Sequence, residues 1–268
     1  ERNEISLDSY VKISANAAAE PASKLWLKKG QKIKLRYLIR AAAIKSANDA
    51  ATAIGEAISG SEAAFGKRMT RTARALGMNS TTFKNAHGLT QSGHMSTARD
   101  MSILGRHMIY DYPQYYNLFS RRSASARVAT VRNTNRRLLN SYKGADGIKT
   151  GYTRAAGSNL VASAERGGER IIATMFGGSS SAARNARVVK LLDMGFSRAP
   201  STAKLQKPAL PHYEPNYLNS SSSNRVTAIK KSLRPETRPV QKPGGQIELI
   251  LAQVSETKTQ PNDILRAL

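Results

Sequence analysis

Residues 144–178 read GADGIKTGYTRAAGSNLVASAERGGERIIATMFGG, and this stretch decides the fold class. Three strand-like runs follow one another in it: GIKTGY, SNLVASAE and ERIIATMFG. Gly167-Gly168 separates the second run from the third, and two glycines between strands favour a tight hairpin. The stretch therefore predicts an antiparallel meander.

Helical patterns precede this meander. KLRYLIRAAAI at 34–44 predicts a helix, the polar stretch KSANDA interrupts it, and AATAIGEAIS at 50–59 resumes the helical pattern. SEAAFGKRMTRTARALG at 61–77 predicts another helix, which Gly77 closes. Together these segments predict a helical lobe.

Two more helices complete the pattern. After a loop at 80–96, Thr97 and Asp100 form a plausible capping box for a helix that reaches about Met108. AARNARVVKLLDMGF at 182–196 predicts a helix that closes the domain. Helices, then a meander, then a final helix indicate an α+β fold.

The composition changes near residue 200. Residues 201–268 are rich in proline, serine and lysine and contain few apolar side chains. We therefore predict a globular domain at 1–199 and a largely disordered tail at 200–268. Within the tail, QIELILAQV is compatible with a short strand or helix, and NDILRAL with a terminal helical turn.

The chain is strongly basic. Its 268 residues include 42 Lys and Arg against 18 Asp and Glu, which gives a formal net charge of +24. Such a surface suits anionic partners such as nucleic acid, anionic lipid or acidic envelope polymers, although a well-solvated basic surface is the simpler interpretation. The basic residues lack the aromatic interleaving of a nucleic-acid stacking platform, so we predict no nucleic-acid partner.

Composition also excludes several kinds of site. The absence of cysteine rules out disulfides, thiolate zinc sites and cysteine nucleophiles. The four histidines do not form a zincin-type pair with a nearby glutamate, so we predict no metal site. No apolar run approaches the roughly 20 residues of a membrane helix.

Lys149 is the first candidate for chemistry. A lysine on a buried strand is unfavourable unless its charge is used or paired, or unless it reaches water at the strand end. Strand alternation places Lys149 and Gly151 on one face, and a glycine there lets a substrate backbone approach closely. Both interpretations, a solvated lysine and a cation beside a reacting group, are open at this point.

Two further features complete the candidate site. Ser46-Ala47-Asn48 lies in the break between two helices. Serine and asparagine are common helix caps, yet a hydroxyl and an amide two positions apart can also point into one cleft. Arg184 begins the last helix, and its forked donors fit a carboxylate, although a surface arginine is the alternative.

These motifs carry a family resemblance. Ser-x-Asn followed 103 positions later by Lys-Thr-Gly (149 minus 46) resembles the penicillin-recognising serine hydrolases. IKSANDAA, NAHGL, GHMSTARDM, DGIKTGYT, AAGSNLVASA and LLDMGF narrow the resemblance to the low-molecular-weight D-alanyl-D-alanine carboxypeptidases, over about residues 1–197. The Glu-x-x-Leu-Asn motif of class A β-lactamases is missing.

The resemblance implies a β-lactamase/transpeptidase-like fold with a five-stranded antiparallel sheet, flanking helices and a helical lobe. It also implies catalytic roles for two residues. Ser46 relays a proton toward the leaving group, and Lys149 supplies positive potential near the nucleophile and the substrate carboxylate.

The resemblance assigns substrate binding to five residues. Asn48 holds the substrate peptide, and Thr150 donates a hydrogen bond to its terminal carboxylate. Gly151 admits the substrate backbone. The N–H of Tyr152 forms half of an oxyanion hole, and Arg184 helps to bind the C-terminal carboxylate.

The family's nucleophile motif, Ser-x-x-Lys, is not found in its expected place. The matches SYVK at 9–12, STAK at 201–204 and SETK at 255–258 lie in the wrong context, so we reject Ser9 and Lys12 as catalytic. By family spacing the nucleophile is expected upstream of Glu1. We therefore expect the chain to lack the first strands and the nucleophile helix, and to be inactive and poorly folded by itself.

For the complete protein, the resemblance implies an exported serine carboxypeptidase in the periplasm or at the outer face of the bacterial cytoplasmic membrane. It would trim terminal D-Ala from peptidoglycan stem peptides, be acylated by β-lactam antibiotics and need no cofactor. Three alternatives stay open: a non-catalytic relative that binds peptidoglycan or another anionic envelope polymer, a β-lactamase, and a nucleic-acid-binding protein.

Overall fold

The computed structural model describes residues 5–200 and 205–211. All of them belong to one compact unit, residues 1–226. The rest of the chain, including the segments QIELILAQV and NDILRAL, lies outside the described residues. The predicted tail and its boundary near residue 200 therefore stay predictions.

The predicted meander is confirmed. Strands β5 (Ala145–Thr153), β6 (Gly157–Arg166) and β7 (Glu169–Gly178) form an antiparallel sheet in the order β5-β6-β7. Gly167 and Gly168 make the turn between the last two strands with φ of +57° and +84°. Glycine adopts these angles without steric cost, which explains the tight hairpin.

Two helices cover the faces of this sheet. α8 (Ser181–Arg198) packs on one face, where Leu160, Ala162, Val188 and Leu192 are almost fully buried. α5 (Ala98–Asp111) packs on the other face, where its Ile109 forms a cluster with Tyr116, Ile148, Val161 and Ile172. The sheet is thus a layer between two helices. The predicted order of a meander followed by a final helix is confirmed.

Gly105 lets α5 lie close to the sheet. A Cβ atom at this position would come within 3.0 Å of Ile148 Cδ1 and 3.3 Å of Val161 Cγ1. A larger residue would push the helix away from the strand that carries Lys149. The glycine therefore sets the distance between helix and sheet.

The helical lobe has its own small sheet. β1 (Tyr10–Lys12) pairs antiparallel with β2 (Lys32–Lys34). The helices of the lobe are α1 (Ala15–Ala19), α2 (Leu35–Arg40), α3 (Asn48–Ser59) and α4 (Glu62–Ala75). Their core includes Ile13, Leu38 and Ile44, each at most 1% exposed.

The prediction of a single helix over 34–44 is wrong at both ends. Lys34 belongs to β2, where it pairs with Tyr10. The last turn, Ala41–Lys45, is π-helical, and Ser46 after it is left-handed (φ 63°, ψ 44°). The polar break is also shorter than predicted, because α3 already begins at Asn48.

The predicted helix start at Thr97 is confirmed, but only one of the two hydrogen bonds of the predicted capping box forms. Thr97 Oγ1 accepts a hydrogen bond from the N–H of Asp100 (3.1 Å). The Asp100 carboxylate instead accepts from Ser80 N (2.9 Å) and Thr81 Oγ1 (2.6 Å). Tertiary hydrogen bonds to the preceding loop thus replace the local one.

Four short elements between α5 and β5 were not predicted. They are α6 (Pro113–Tyr116), the hairpin strands β3 (Ser123–Ser125) and β4 (Thr130–Arg132), and α7 (Arg136–Ser141). The sequence here mixes arginine with serine and alanine, and it shows neither a clear helical nor a clear strand period. Buried Val131, at 2% exposed, fixes the hairpin on the lobe.

The outer edges of β5 and β7 have no strand partner within residues 5–200 and 205–211. The same described part contains no helix that is long and apolar enough to cross a membrane. The expectation that the chain folds poorly by itself concerns stability and stays a prediction, which thermal unfolding of the chain would test.

Candidate active site

A cleft of about 1250 Å³ lies between the helical lobe and the sheet. Every site residue predicted from the sequence lines it: Ser46, Asn48, Lys149, Thr150, Gly151, Tyr152 and Arg184. The cleft also has apolar walls, to which Met69, Met101 and Leu104 contribute. Residues far apart in sequence are thus brought to one place, as the motifs suggested.

Ser46 and Lys149 are in direct contact. Lys149 Nζ donates hydrogen bonds to Ser46 Oγ (2.8 Å) and to the carbonyl of Thr150 (2.8 Å). Because the ammonium can only donate, the Ser46 hydroxyl proton is free to be donated to another group. This arrangement suits a hydroxyl that passes a proton to a leaving group.

The π-helical turn places the Ser46 side chain. Its N–H donates to Ala41 O, and the left-handed backbone of Ser46 then turns the chain sharply into α3. A non-glycine residue in this conformation is strained and must be held by its surroundings. π-turns and such residues occur frequently at functional sites.

Burial dominates the electrostatics of Lys149. It lowers the pKa of this lysine from 10.5 to about 8, and the positive charge of Arg184 adds to the effect. No acidic residue of the described part forms an ion pair with Lys149 or Arg184. The two cations therefore favour an anionic ligand between them.

Arg184 is held as a buried cation. Only 5% of it is exposed. Its Nε and Nη2 donate to Asn185 Oδ1 (3.1 and 2.8 Å), and Nη1 donates to the carbonyl of Asn159 (3.4 Å). Burial lowers its pKa. Gly178 is required beside it, because a Cβ there would lie 2.9 Å from Arg184 Cβ.

Asn48 is engaged with the preceding segment. Its Nδ2 donates to Pro21 O (2.9 Å), and its backbone N–H donates to Ser23 O (2.7 Å). The neighbouring Asp49 is fully buried and accepts from the N–H groups of Leu25 and Leu27. The start of α3 is thus fixed, and substrate contact by Asn48 stays a prediction.

Thr134 was missed by the sequence analysis, although it connects the two sides of the cleft. Its N–H donates to Ile44 O (3.1 Å), just before Ser46, and its Oγ1 accepts from Thr150 Oγ1 (2.6 Å). Asn135 Nδ2 donates to Gly147 O (3.1 Å). The sequence offered one signal, the pair of asparagines in NTN within a basic run. The structure buries both, with Asn133 and Asn135 each only 2% exposed.

Comparison with known proteins agrees with this geometry. A family model described as D-alanyl-D-alanine carboxypeptidase matches residues 1–180. The chain belongs to the D-alanyl-D-alanine carboxypeptidase family. The resemblance that rested on the motifs is thereby confirmed.

Curated relatives in this carboxypeptidase family come from several bacteria. The chain is 39% identical over 203 residues to the D-alanyl-D-alanine carboxypeptidase DacF of Bacillus subtilis, covering 74% of this chain and 52% of the relative. It is 37% identical over 183 residues to DacC of Escherichia coli, covering 68% and 46%. The chain thus spans about half the length of the curated relatives that it matches.

Solved structures of carboxypeptidases and penicillin-binding proteins have the same fold. Penicillin-binding protein 5 from Haemophilus influenzae matches with a TM-score of 0.69 at 32% identity, covering 73% of this chain and 58% of that one. Penicillin-binding protein D2 from Listeria monocytogenes, in an ampicillin-bound form, matches with 0.66 at 34% identity, covering 72% and 79%. The predicted transpeptidase-like α+β fold is confirmed.

One cluster of ligand-capable side chains lies beside the cleft of this carboxypeptidase-family chain. Glu20, Glu62 and His87 bring a ligand atom each within 4.8 Å of one another, which the sequence spacing did not indicate. His87 Nδ1 accepts from Leu89 N (3.1 Å), so the proton of the neutral ring is on Nε2, which faces the carboxylates at 3.3 and 3.5 Å. We interpret the cluster as a hydrogen-bonded anchor for the loop that contains His87.

The rejected nucleophile motif lies away from the site. Ser9 Oγ accepts from Ser6 N, Lys12 is exposed on β1, and neither lines the cleft. The STAK and SETK matches lie outside the described residues. The structure thus agrees with the rejection of Ser9 and Lys12.

Proposed function

We propose that the protein is a serine D-Ala-D-Ala carboxypeptidase that removes the terminal D-Ala from peptidoglycan stem peptides. The observation that carries this proposal is the 2.8 Å hydrogen bond from Lys149 Nζ to Ser46 Oγ, in a cleft that also contains Arg184. This hydrogen bond connects the Ser46 hydroxyl, which relays a proton, to Lys149, which together with Arg184 binds an anion.

The reaction follows acyl-enzyme chemistry. A serine oxygen attacks the carbonyl of the penultimate D-Ala and the peptide C–N bond breaks. The nucleophile's proton replaces the one that Ser46 donates to the nitrogen of the departing D-Ala, so Ser46 ends the step unchanged. Water then hydrolyses the ester and regenerates the serine. We propose that this nucleophile lies outside the described residues, since no serine of a Ser-x-x-Lys motif lines the cleft within them.

The cations bind and orient the substrate. Lys149 and Arg184 attract the terminal carboxylate, which receives one hydrogen bond from the threonine pair. Because Thr150 donates to Thr134, the proton of the Thr134 hydroxyl is the one available to the carboxylate in this arrangement. The backbone passes Gly151, where an added Cβ would meet only Asn159 Cβ, at 3.9 Å. The N–H of Tyr152 polarises the reacting carbonyl.

β-Lactam antibiotics are proposed to acylate the same serine, since a relative has been solved in ampicillin-bound and cefotaxime-bound forms. Such chemistry on peptidoglycan places the protein outside the cytoplasmic membrane. Its basic surface would then face the anionic polymers of the envelope.

The decisive test uses the full-length gene product. We expect it to release D-Ala from a peptide that ends in D-Ala-D-Ala, and to gain a stable penicilloyl adduct in its intact mass. Rapid hydrolysis of penicillin without a lasting adduct would indicate a β-lactamase. A folded protein that neither releases D-Ala nor labels would be a binding-only relative, which contradicts the proposal.

The reaction should lose efficiency in mild alkali. The lowered pKa of Lys149, about 8, means that its charge disappears as the pH rises through that value, and the attraction for the substrate carboxylate disappears with it. We therefore expect kcat/KM, which reports the free enzyme, to fall above pH 8. In Lys149→Arg the fall should vanish, because arginine keeps its charge. An unchanged fall in that variant would assign the titration to another group.

A further inference from the structure

A second groove lies on the helical lobe, separate from the active-site cleft. Its volume is about 620 Å³, and it shares no lining residue with the cleft. The segment between α1 and β2 contributes Trp26, Lys28, Lys29 and Gln31 to it, and the turn between β3 and β4 contributes Val128. The proposed carboxypeptidase reaction uses none of these residues.

The fold holds Trp26 rigidly at the surface. It is the single tryptophan of the chain, and 72% of it is exposed. On either side of it, the N–H groups of the buried residues Leu25 and Leu27 donate to the fully buried carboxylate of Asp49, at 3.0 and 3.1 Å. The backbone of Trp26 is left-handed (φ 62°), which is unfavourable for a bulky side chain. Strained residues that their surroundings hold in this way are concentrated at ligand sites.

Polar groups surround the tryptophan ring. Lys24 Nζ lies 4.8 Å from the ring centroid, over one face, which leaves the other face for a ligand. Gln31 Oε1 accepts from Lys28 N (3.0 Å), so the amide nitrogen of Gln31 has two hydrogens to donate. Lys28 and Lys29 are exposed, and none of the described residues that line the groove is acidic. The groove therefore offers an aromatic face, amide donors and two cations.

This combination fits an acidic sugar polymer better than a lipid surface. The C–H face of a sugar ring is apolar and packs on the negative π face of an aromatic ring, while the hydroxyl and acid groups at its rim need donors. A membrane contact needs a broad apolar face, and the groove exposes only the apolar side chains of Trp26 and Val128. Insertion of the tryptophan into lipid would also desolvate the Lys24 ammonium over its ring.

We propose that this groove binds the glycan strand of peptidoglycan, with a sugar ring stacked on Trp26 and a carboxylate of the strand held by Lys28 and Lys29. The inference rests on the proposed function, since a protein that cleaves stem peptides meets the glycan to which they are attached. It adds a binding site outside the cleft, which holds the protein on the polymer between cleavages.

The test measures binding of the full-length protein to soluble glycan strands whose stem peptides have been removed. The cleft then has no D-Ala-D-Ala to bind, and every second sugar carries a free carboxylate. At low ionic strength we expect saturable binding, about threefold tighter than to a neutral N-acetylglucosamine oligomer of the same length. Equal binding of the two polymers would overturn the assignment of Lys28 and Lys29.

Matched variants test the groove itself. Trp26→Gly should weaken binding of both polymers about tenfold, and glycine is chosen because it adopts φ of 62° without strain. Tyr10→Ala is the control and should bind like the wild type. Tyr10 is 66% exposed with Lys34 Nζ 5.7 Å from its ring centroid, but it does not line the groove. Lys28→Gln/Lys29→Gln should lose only the preference for the carboxylated strand.

Failure of the two proposals can be distinguished. Release of D-Ala by a protein whose glycan binding is absent, or unchanged in Trp26→Gly, would overturn only the groove. Trp26-dependent glycan binding without release of D-Ala would overturn only the carboxypeptidase function. Trp26-dependent binding to phosphatidylglycerol vesicles or to oligothymidylate, with no glycan binding, would assign the groove to a membrane or a nucleic acid. If Trp26→Gly does not fold, the preference in Lys28→Gln/Lys29→Gln decides.

Discussion

Replacing Lys149 with methionine is expected to lower kcat/KM and the rate of penicillin labelling about a thousandfold. The variant keeps the apolar stem but loses the cation that contacts Ser46 and attracts the carboxylate. The same change should raise thermal stability. The native pKa of about 8 lies below the unfolded value of 10.5, so charged Lys149 destabilises the fold by roughly 3 kcal/mol below pH 8.

That cost has a defined pH window. It is fully present below pH 8 and disappears as the pH rises from 8 toward 10.5, so the stability gain of Lys149→Met should shrink over this range. Lys143→Met is the control. It removes the charge of an exposed lysine shortly before Lys149 in the sequence, and should change neither the activity nor the stability. Thermal unfolding at several pH values, beside the two rates, checks the prediction. Loss of stability together with activity would show that Lys149 has only a structural role.

Replacing Ser46 with glycine is expected to lower turnover about a hundredfold to a thousandfold, because the leaving group loses its proton donor. Glycine is chosen because Ser46 has φ of 63°, and glycine adopts that angle without strain. The fold is therefore preserved while the hydroxyl is removed. Release of D-Ala measures the effect.

A double variant identifies whether the pair acts as a unit. Ser46→Gly combined with Lys149→Met should cost little more than Lys149→Met alone, since residues that act together are not additive. Ser102→Ala is the control, because Ser102 is also hydrogen-bonded but does not line the cleft. Fully additive losses would argue against the contact between Ser46 and Lys149 as the catalytic unit.

Sequence reasoning found the parts of the site that belong to recognisable motifs or that carry a charge where an apolar residue is expected. A lysine on a buried strand drew attention because it is unfavourable there unless its charge is used or paired. Ser46 fits an ordinary helix cap, and only the Ser-x-Asn and Lys-Thr-Gly motifs together indicated function. The meander was predictable because strand alternation and the glycine pair at 167–168 agree.

The remaining parts depend on tertiary contacts. The left-handed turn at Ser46 has no local signature, since the alanines before it read as ordinary helix. It is held where Thr134 donates to Ile44, a contact between segments 90 positions apart (134 minus 44). The arginines of α7 look like solvated surface in the sequence, and only the structure shows that they line the cleft.

The Thr134 crosslink has a consequence for the dynamics of the cleft. Its amide hydrogen is bonded to Ile44 O on the lobe, while its hydroxyl holds Thr150 on the sheet. The lobe and the sheet cannot separate at this point without exposing that amide to solvent. The deuterium uptake of a single backbone position therefore records how often the site opens, and a bound substrate that bridges the two sides would slow it.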